Sequence, residues 1–199
     1  MKKHSFLAIL AAVLFFTLIT QASGQARTWE LDKAHSNIYF SVDHIFSKVH
    51  GHFNDYTAEI NFDPTNLADS SFVFEIETKS IDTNIAKRDK HLQSDDFFGA
   101  GKFPMIKFSS EQVTDVGNNV YEVKGKLVLK GKTYDLTLPL TLAGIKAHPA
   151  VKGKDVIGFN GTMTIDRLEY GVGNGKFYQM GVVGKEVDIL VSMELLGEK

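Results

Sequence analysis

The sequence predicts an all-β protein, a single antiparallel barrel of eight or nine strands interrupted by one helical stretch. Three observations lead there. Most segments alternate apolar and polar residues, each apolar on one face only, as strands do when one face looks inward and the other meets water. The connections are short and rich in Gly, Asn and Asp, so sequence neighbours become antiparallel neighbours. One stretch, Thr83 to Pro104, breaks the period of two. Closing such strands into a barrel removes exposed edges. A two-sheet sandwich satisfies the same alternation and remains the alternative.

In chain order, Lys2 and Lys3 precede an apolar run from Phe6 to Ile19, and small residues follow at Ala22, Gly24 and Ala26. This pattern predicts a secretory signal peptide over residues 1–26, cleaved between about 22 and 26, and one domain over 27–199. The run is shorter than the roughly 20 apolar residues of a membrane span, and none later reaches that length, so no stable membrane insertion is expected. The expected location is the periplasm or the extracellular medium.

Thr28–Asp32 is a short strand whose Trp29, near the start of a barrel, is placed to close one end. A turn at His35-Ser36 leads to Asn37–His44, with Ile38, Phe40 and Val42 on one face. Phe46–Gly51 is expected as a connection and Phe53–Phe62 as a strand, ended by Asp63-Pro64-Thr65-Asn66. Phe72–Ser80 carries Phe72, Phe74 and Ile76 inward and Glu75, Glu77 and Lys79 outward. In Thr83–Pro104, Ile85 and Leu92 share a helical face, but Arg88 and Asp89 stand at the intervening positions. Phe97, Phe98, Phe103 and Pro104 then form an aromatic plug punctuated by Gly99 and Gly101. Met105–Val116, Tyr121–Leu129 and a strand through Leu136, Leu138, Leu140 and Leu142 follow, joined by tight turns at Gly117-Asn118-Asn119 and Lys130-Gly131-Lys132. Ile145–Lys154 reads as a loop. Ile157, Phe159, Met163 and Ile165 mark another strand, Tyr170–Gly184 a long Gly-rich excursion, and Val187–Leu195 the last strand.

Composition removes several function classes. There is no cysteine, which excludes disulfides, a thiol nucleophile and a cysteine metal site. Lys2 and Lys3 are the only charged residues before Arg27, so the remainder carries 20 basic against 24 acidic residues, a net charge of −4 with His neutral. A mildly acidic domain is a poor nucleic-acid binder, and no nucleic-acid partner is expected.

Short motifs recur across the whole domain: Trp29–Phe40 (WELDKAHSNIYF), Ser41–His44 (SVDH), Gly51-His52-Phe53, Ser80–Thr83 (SIDT), Arg88–Leu92 (RDKHL), Asp96-Phe97-Phe98, Phe103-Pro104, Gly125-Lys126-Leu127, Gly131-Lys132-Thr133 and Ile165-Asp166-Arg167. In this order they resemble the exported polyisoprenoid-binding proteins of the YceI-like family. Glu169-Tyr170-Gly171 departs from the Asp-Phe-Gly often found there in the family. The resemblance implies an extended eight-stranded, lipocalin-like barrel with a short helix packed at its side or mouth. It also implies a lumen holding a long isoprenoid or a similar long-chain amphiphilic lipid, for carriage or storage.

The expected lumen lining is Phe40, Val42, Phe72, Phe74, Ile76, Phe108, Leu127, Leu136, Leu138, Leu140, Phe159, Met163, Ile189 and Val191. Periodicity alone leaves a filled core equally open, since eight-stranded barrels occur both ways; the resemblance favours a cavity. Arg88, His91 and His44 are candidates for a lipid head group, Arg for its planar fork of donors. The other reading is that Arg88 and Asp89 pin the helix to strand ends and turns. His35, His44, His50 and His52 lack the carboxylate or Cys pattern of a metal site, so neither metal nor cofactor is expected. Ser94, Asp95, Asp96 and His91 are close in sequence, but no hydrolase or phosphate-loop motif is present, so no catalytic residue is assigned. A hydrolase or stress-response enzyme on the same scaffold is the alternative. Monomer and homodimer both stay open.

Overall fold

The computed structural model describes residues 25–199, so nearly all of the expected leader lies outside the described residues. The strands are β1 (Thr28–Leu31), β2 (Asn37–His44), β3 (Ser47–Phe53), β4 (Tyr56–Asn61), β5 (Ser71–Glu77), β6 (Ile81–Asp82), β7 (Met105–Gly117), β8 (Val120–Leu129), β9 (Lys132–Ala147), β10 (Lys154–Asp166) and β11 (Val183–Glu198). Two helices join them, α1 (Ala86–Gln93) and α2 (Lys176–Gln179). The strands β1-β4-β5-β7-β8-β9-β10-β11 pair in that order and close through β1 and β11, with Glu30 opposite Leu196. The result is a closed, eight-stranded antiparallel barrel. β2, β3 and β6 prolong β1, β4 and β5 beyond the ring: β2 pairs with β11, β3 with β2, and β6 with β3.

The prolongations are strand lines broken by one short kink each. Between β1 and β2, the Ser36 hydroxyl stands in for the ladder. It donates to the Glu194 carbonyl at 3.1 Å and accepts from the Glu194 N–H at 3.0 Å. Between β3 and β4, Asn54 N–H donates to the Ser80 carbonyl, and Glu77 N–H donates to the Asp55 carbonyl. The two neighbouring lines therefore kink together, and these bonds replace ladder bonds lost there.

Three sequence expectations need correction. Phe46–Gly51 is not merely a connection, because Ser47 to Gly51 belong to β3. Its inward positions are Val49, Gly51 and Phe53, and the gap in the alternation at Gly51 has a cause: a Cβ there would lie 2.3 Å from Cζ of Phe40. The Phe40 ring fills the slot that a larger residue would occupy. Ile145–Lys154 is a loop only in its middle, since β9 runs to Ala147 and β10 starts at Lys154. Tyr170–Gly184 folds around α2 and leads directly into β11, which begins at Val183.

The barrel has two unlike ends. At the lower end, Trp29 is 2% exposed and its indole N–H donates to the Phe62 carbonyl at 2.9 Å. Phe62 packs edge-to-face on Tyr121 and Phe159 with ring centroids 5.1 and 5.0 Å away, and Phe72 packs edge-to-face on Phe159 at 5.4 Å. Ile60, Val123, Leu140, Ile157 and Leu195 fill the spaces with no exposure at all. At the upper end stand α1, the 94–104 segment, the Lys130-Gly131 turn and the 167–182 segment.

Candidate functional site

The upper half of the barrel is hollow. A cavity of about 210 Å³ lies there, and its wall presents only apolar surface. Phe40, Val42, Phe74, Ile76, Phe108, Leu127, Leu136, Leu138, Met163, Ile189 and Val191 stand on the wall, as their alternation predicts. Phe74, Phe108, Leu138 and Val191 also belong to the packed lower core, so they form the cavity floor. Phe40, Val42, Leu127, Leu136, Met163 and Ile189 point inward yet are only half-buried, because they face open space. Phe72, Leu140 and Phe159, also expected on the wall, are not part of it. They are fully buried at the lower end, where the rings around Phe62 leave no void.

Sequence reasoning missed the upper part of the wall. Leu92 on α1, Phe97 and Phe98 after it, Val172 in the following cap, and Val183 and Val187 on β11 are among the further lining residues. Carrying the β11 alternation back from Val187 finds Val183. No local signal brings the cap residues over the barrel.

The wall is held by side chains on one flank. The ladder between β9 and β10 runs from Ala147–Asp155 to Thr141–Asn160 and stops, leaving Lys132–Leu140 unpaired with β10. Leu142 N–H donates to Asn119 on the β8 side, so Pro139, three positions earlier, turns its nitrogen toward β10. Proline has no N–H for that ladder, which is why it sits where the pairing ends. Above it, the Tyr134 and Tyr170 rings meet across the seam at 4.8 Å.

The charged groups near the cavity are occupied with holding its cap. Arg167 is 5% exposed and the one charged residue on the wall. Its Nε donates to the Gly184 carbonyl at 2.8 Å, Nη1 to Val172 at 2.8 Å and Nη2 to Val183 at 3.4 Å. Burial pulls its pKa below the usual guanidinium value, while nearby Asp166 acts in the opposite sense. Gly173, at φ 91°, leaves room for the guanidinium, since a Cβ there would lie 2.3 Å from Nη1. Lys130 Nζ donates to the Phe97 carbonyl, and burial lowers its pKa. Phe97 in turn stacks on Phe177 at 5.9 Å.

The three head-group candidates have different neighbours. Arg88 Nε donates to the Thr83 hydroxyl and Nη2 to the Thr83 carbonyl, both at 2.7 Å. Asp89 accepts from the Thr83 N–H at 2.9 Å and from its hydroxyl. Thr83 is buried, so Arg88 and Asp89 grip one point at the foot of α1. The expected stripe through Ile85 does not form, because Ile85 precedes the helix and is 51% exposed. His91 Nε2 lies 3.2 Å from Asp96 Oδ2, and its ring meets Phe97 and Phe177. His44 ends β2 opposite Ser47 and Val183. Ser94 Oγ donates to the His91 carbonyl at 2.6 Å rather than to the His91 ring, which gives no nucleophile–base pair.

The histidines His35, His44, His50 and His52 do not gather. Among the described residues, the metal-ligating side chains that converge are Asp32, His35 and Glu194. There Asp32 already accepts from His35 Nδ1 at 2.8 Å and from the Ala34 N–H at 3.0 Å.

Known proteins match this architecture. The YceI-like domain profile covers residues 29–195. A UPF0312 protein of Vibrio cholerae is 36% identical over 173 residues, covering 86% of this chain and 89% of the relative. One from Shewanella denitrificans is 37% identical over 180 residues, covering 86% and 88%. Among solved structures, Burkholderia cenocepacia BcnA aligns with a TM-score of 0.73 at 27% identity, over 83% of this chain and 99% of that one. A polyisoprenoid-binding domain from Saccharophagus degradans, implicated in plant cell wall breakdown, shares the fold with a TM-score of 0.65 at 14% identity, over 88% and 100%. With a family profile spanning nearly every described strand and relatives this similar along their length, the chain belongs to the YceI-like family.

Proposed function

We propose that the protein is an exported carrier that holds the tail of a long-chain isoprenoid, or a similar amphiphilic lipid, in the upper half of its barrel. The observation that carries this reading is the wholly apolar cavity above a solid floor. Each buried CH₂ of a chain there gains ~0.8 kcal/mol, so affinity needs no polar contact inside. The fold shared with a polyisoprenoid-binding domain supports the same ligand class. The head group stays at the upper rim, because the one charged residue of the wall, Arg167, turns its nitrogens to the carbonyls of Gly184, Val172 and Val183. His91 and His44 remain candidates there, whereas the Arg88 donors are directed to Thr83. At about 210 Å³ the cavity is below the roughly 300–1,000 Å³ of ordinary ligand pockets, so a long tail enters by parting the side-chain seam at Tyr134 and Tyr170. Export rests on the leader-like sequence of residues 1–26.

The test is organic extraction of the purified protein, with mass spectrometry of the extract and titration of the emptied protein with a fluorescent long-chain probe. A co-purifying long-chain lipid and saturable probe uptake are expected. An extract free of lipid together with no uptake overturns the reading. Cell fractionation with N-terminal sequencing checks export and cleavage, and an intact Met1 on membrane-bound protein defeats that part.

A further inference from the structure

Three tight hairpin turns in the barrel need backbone in the left-handed region, which Gly, Asn and Asp tolerate best. Two largely follow that preference. Between β7 and β8, Gly117, Asn118 and Asn119 have φ of 91°, 54° and 61°; between β8 and β9, Lys130 and Gly131 have 52° and 72°. The third does not. The β2–β3 turn is Ile45-Phe46, closed by the His44–Ser47 pair, and Ile45 has φ 55°. A β-branched residue there is a strained outlier. The strain brings no local packing, for Ile45 is 57% exposed and Phe46 fully exposed at 102%.

The neighbouring segment is also apolar and open. Ile45 N–H donates to the Val182 carbonyl at 3.0 Å, which places the tip beside α2 and the residues after it. There Tyr178 is 45% and Met180 61% exposed. Lys48 and Lys176 flank the group; Lys48 pairs with Asp43 and Asp188, and Lys176 has no ion-pair partner among the described residues. This patch continues the cavity: Phe40 and Val42 on β2 and Val183 on β11 line the wall just below it.

We propose that the Ile45-Phe46 tip, with Tyr178 and Met180, is a shallow membrane-docking edge that seats the upper end of the barrel on a lipid bilayer. An aliphatic and aromatic tip standing clear of the surface, with a Tyr and Lys collar, has the composition of side chains that settle at the bilayer interface. Docking is peripheral, because none of the described helices is long and apolar enough to span and the outer barrel wall carries ion pairs such as Lys107–Glu75 at 2.5 Å. The bilayer as partner rests on the carrier reading, since a hydrocarbon ligand is drawn from and returned to membranes; the strained apolar tip stands without it.

Phe46→Trp offers a direct probe. The native Trp29 is buried at the opposite end and serves as an internal silent reference. On adding phosphatidylcholine vesicles with brominated acyl chains, the Phe46→Trp protein should show a blue-shifted, quenched component absent from the wild type. In vesicle flotation, Phe46→Asp should reduce bound protein about tenfold or more, while Val116→Asp, at a half-exposed apolar site at the lower end, should not. Absence of quenching, or flotation of Phe46→Asp equal to wild type, overturns the proposal. So does a tip substitution that changes the oligomeric state without changing flotation, which assigns the patch to a second copy of the chain. Probe uptake from detergent-free solution, measured on the same variants, separates the two ideas. Vesicle binding without uptake refutes the carrier and keeps the docking edge; uptake without vesicle binding does the reverse.

Discussion

The two halves of this barrel are built from the same strands with the same alternation, yet one is solid and the other hollow. In the lower half, Phe62, Phe72, Phe159 and Tyr121 converge from the segment after β4, β5, β10 and β8 in that order, and Trp29 lies over them. Four rings at one level fill the bore of an eight-stranded barrel. In the upper half, the inward positions are largely aliphatic, among them Val42, Leu136, Met163 and Ile189, and they do not meet across the axis. The β9–β10 ladder also runs through the lower half and stops above, where the two strands part. The lower half thus supplies rigidity, and the upper half gives up contacts and keeps space. A cavity next to a packed floor is held in shape without having to be filled.

The largest expected effect contrasts truncations. Phe159→Ala, in the solid half, should destabilise by about 3–5 kcal/mol, a melting-point drop of about 6–20 °C. Ile189→Ala, on the cavity wall, should cost below about 2 kcal/mol, because that side chain already faces a void. Equal drops in thermal denaturation would mean that the upper half is as tightly packed as the lower.

Enlargement should sort the halves in another way. Val123→Trp overfills the packed level and should destabilise by about 1–3 kcal/mol. Leu138→Trp, on the floor of the cavity, should change the empty protein's stability less and sharply reduce probe uptake. Thr137→Trp, on the exposed face of the same strand, should leave uptake unchanged. Strong destabilisation by Leu138→Trp without any wild-type uptake would show the space to be no ligand site.

A smaller effect concerns the helix that covers the hollow half. Arg88→Ala removes two hydrogen bonds to Thr83 and should lower stability by about 1–3 kcal/mol. It should weaken binding of a prenyl phosphate and of the matching alcohol alike. A loss confined to the phosphate would make Arg88 a head-group ligand.

The smallest effect lies at the β1–β2 kink, where the two halves meet. His35 has its pKa raised, first by the hydrogen bond to Asp32 and then by that carboxylate's charge. Asp32 is lowered mainly by the same hydrogen bond, against some desolvation. The stability that protonated His35 contributes is complete below its ordinary value of 6.5 and is lost as pH rises through its raised value in the folded protein. The contribution of ionised Asp32 is present above 3.8 and is lost as pH falls through its lowered value. Between about pH 6 and about pH 8 the wild-type melting point should therefore fall slightly more than that of His35→Asn. Parallel pH profiles would remove the pair from any role at the kink.

Much of this was legible in the chain. The face of each long strand followed from period two, so Phe40, Ile76, Leu138 and Val191 could be placed inward from sequence. β3 was hidden because its central inward residue is Gly51, whose space belongs to Phe40 from another strand. The roles of Arg88 and Asp89 were balanced between pin and ligand because their common partner, Thr83, is ordinary in sequence and decisive only when buried beside them. The cap residues Leu92, Phe98 and Val172 carry no period that aims them at the barrel.

The sequence by itself determined the faces of the long strands, the tight turns after β7 and β8 and the all-β class, with barrel and sandwich both open, because alternation and turn chemistry act between residues a few positions apart. Only the tertiary structure decided which levels of the barrel are full. Whether a bore is filled depends on the summed volume of side chains arriving at one height from strands far apart in sequence, and on where the ladder stops. Phe72 and Phe74 lie two positions apart with the same alternation; one is sealed among rings and the other looks into the cavity.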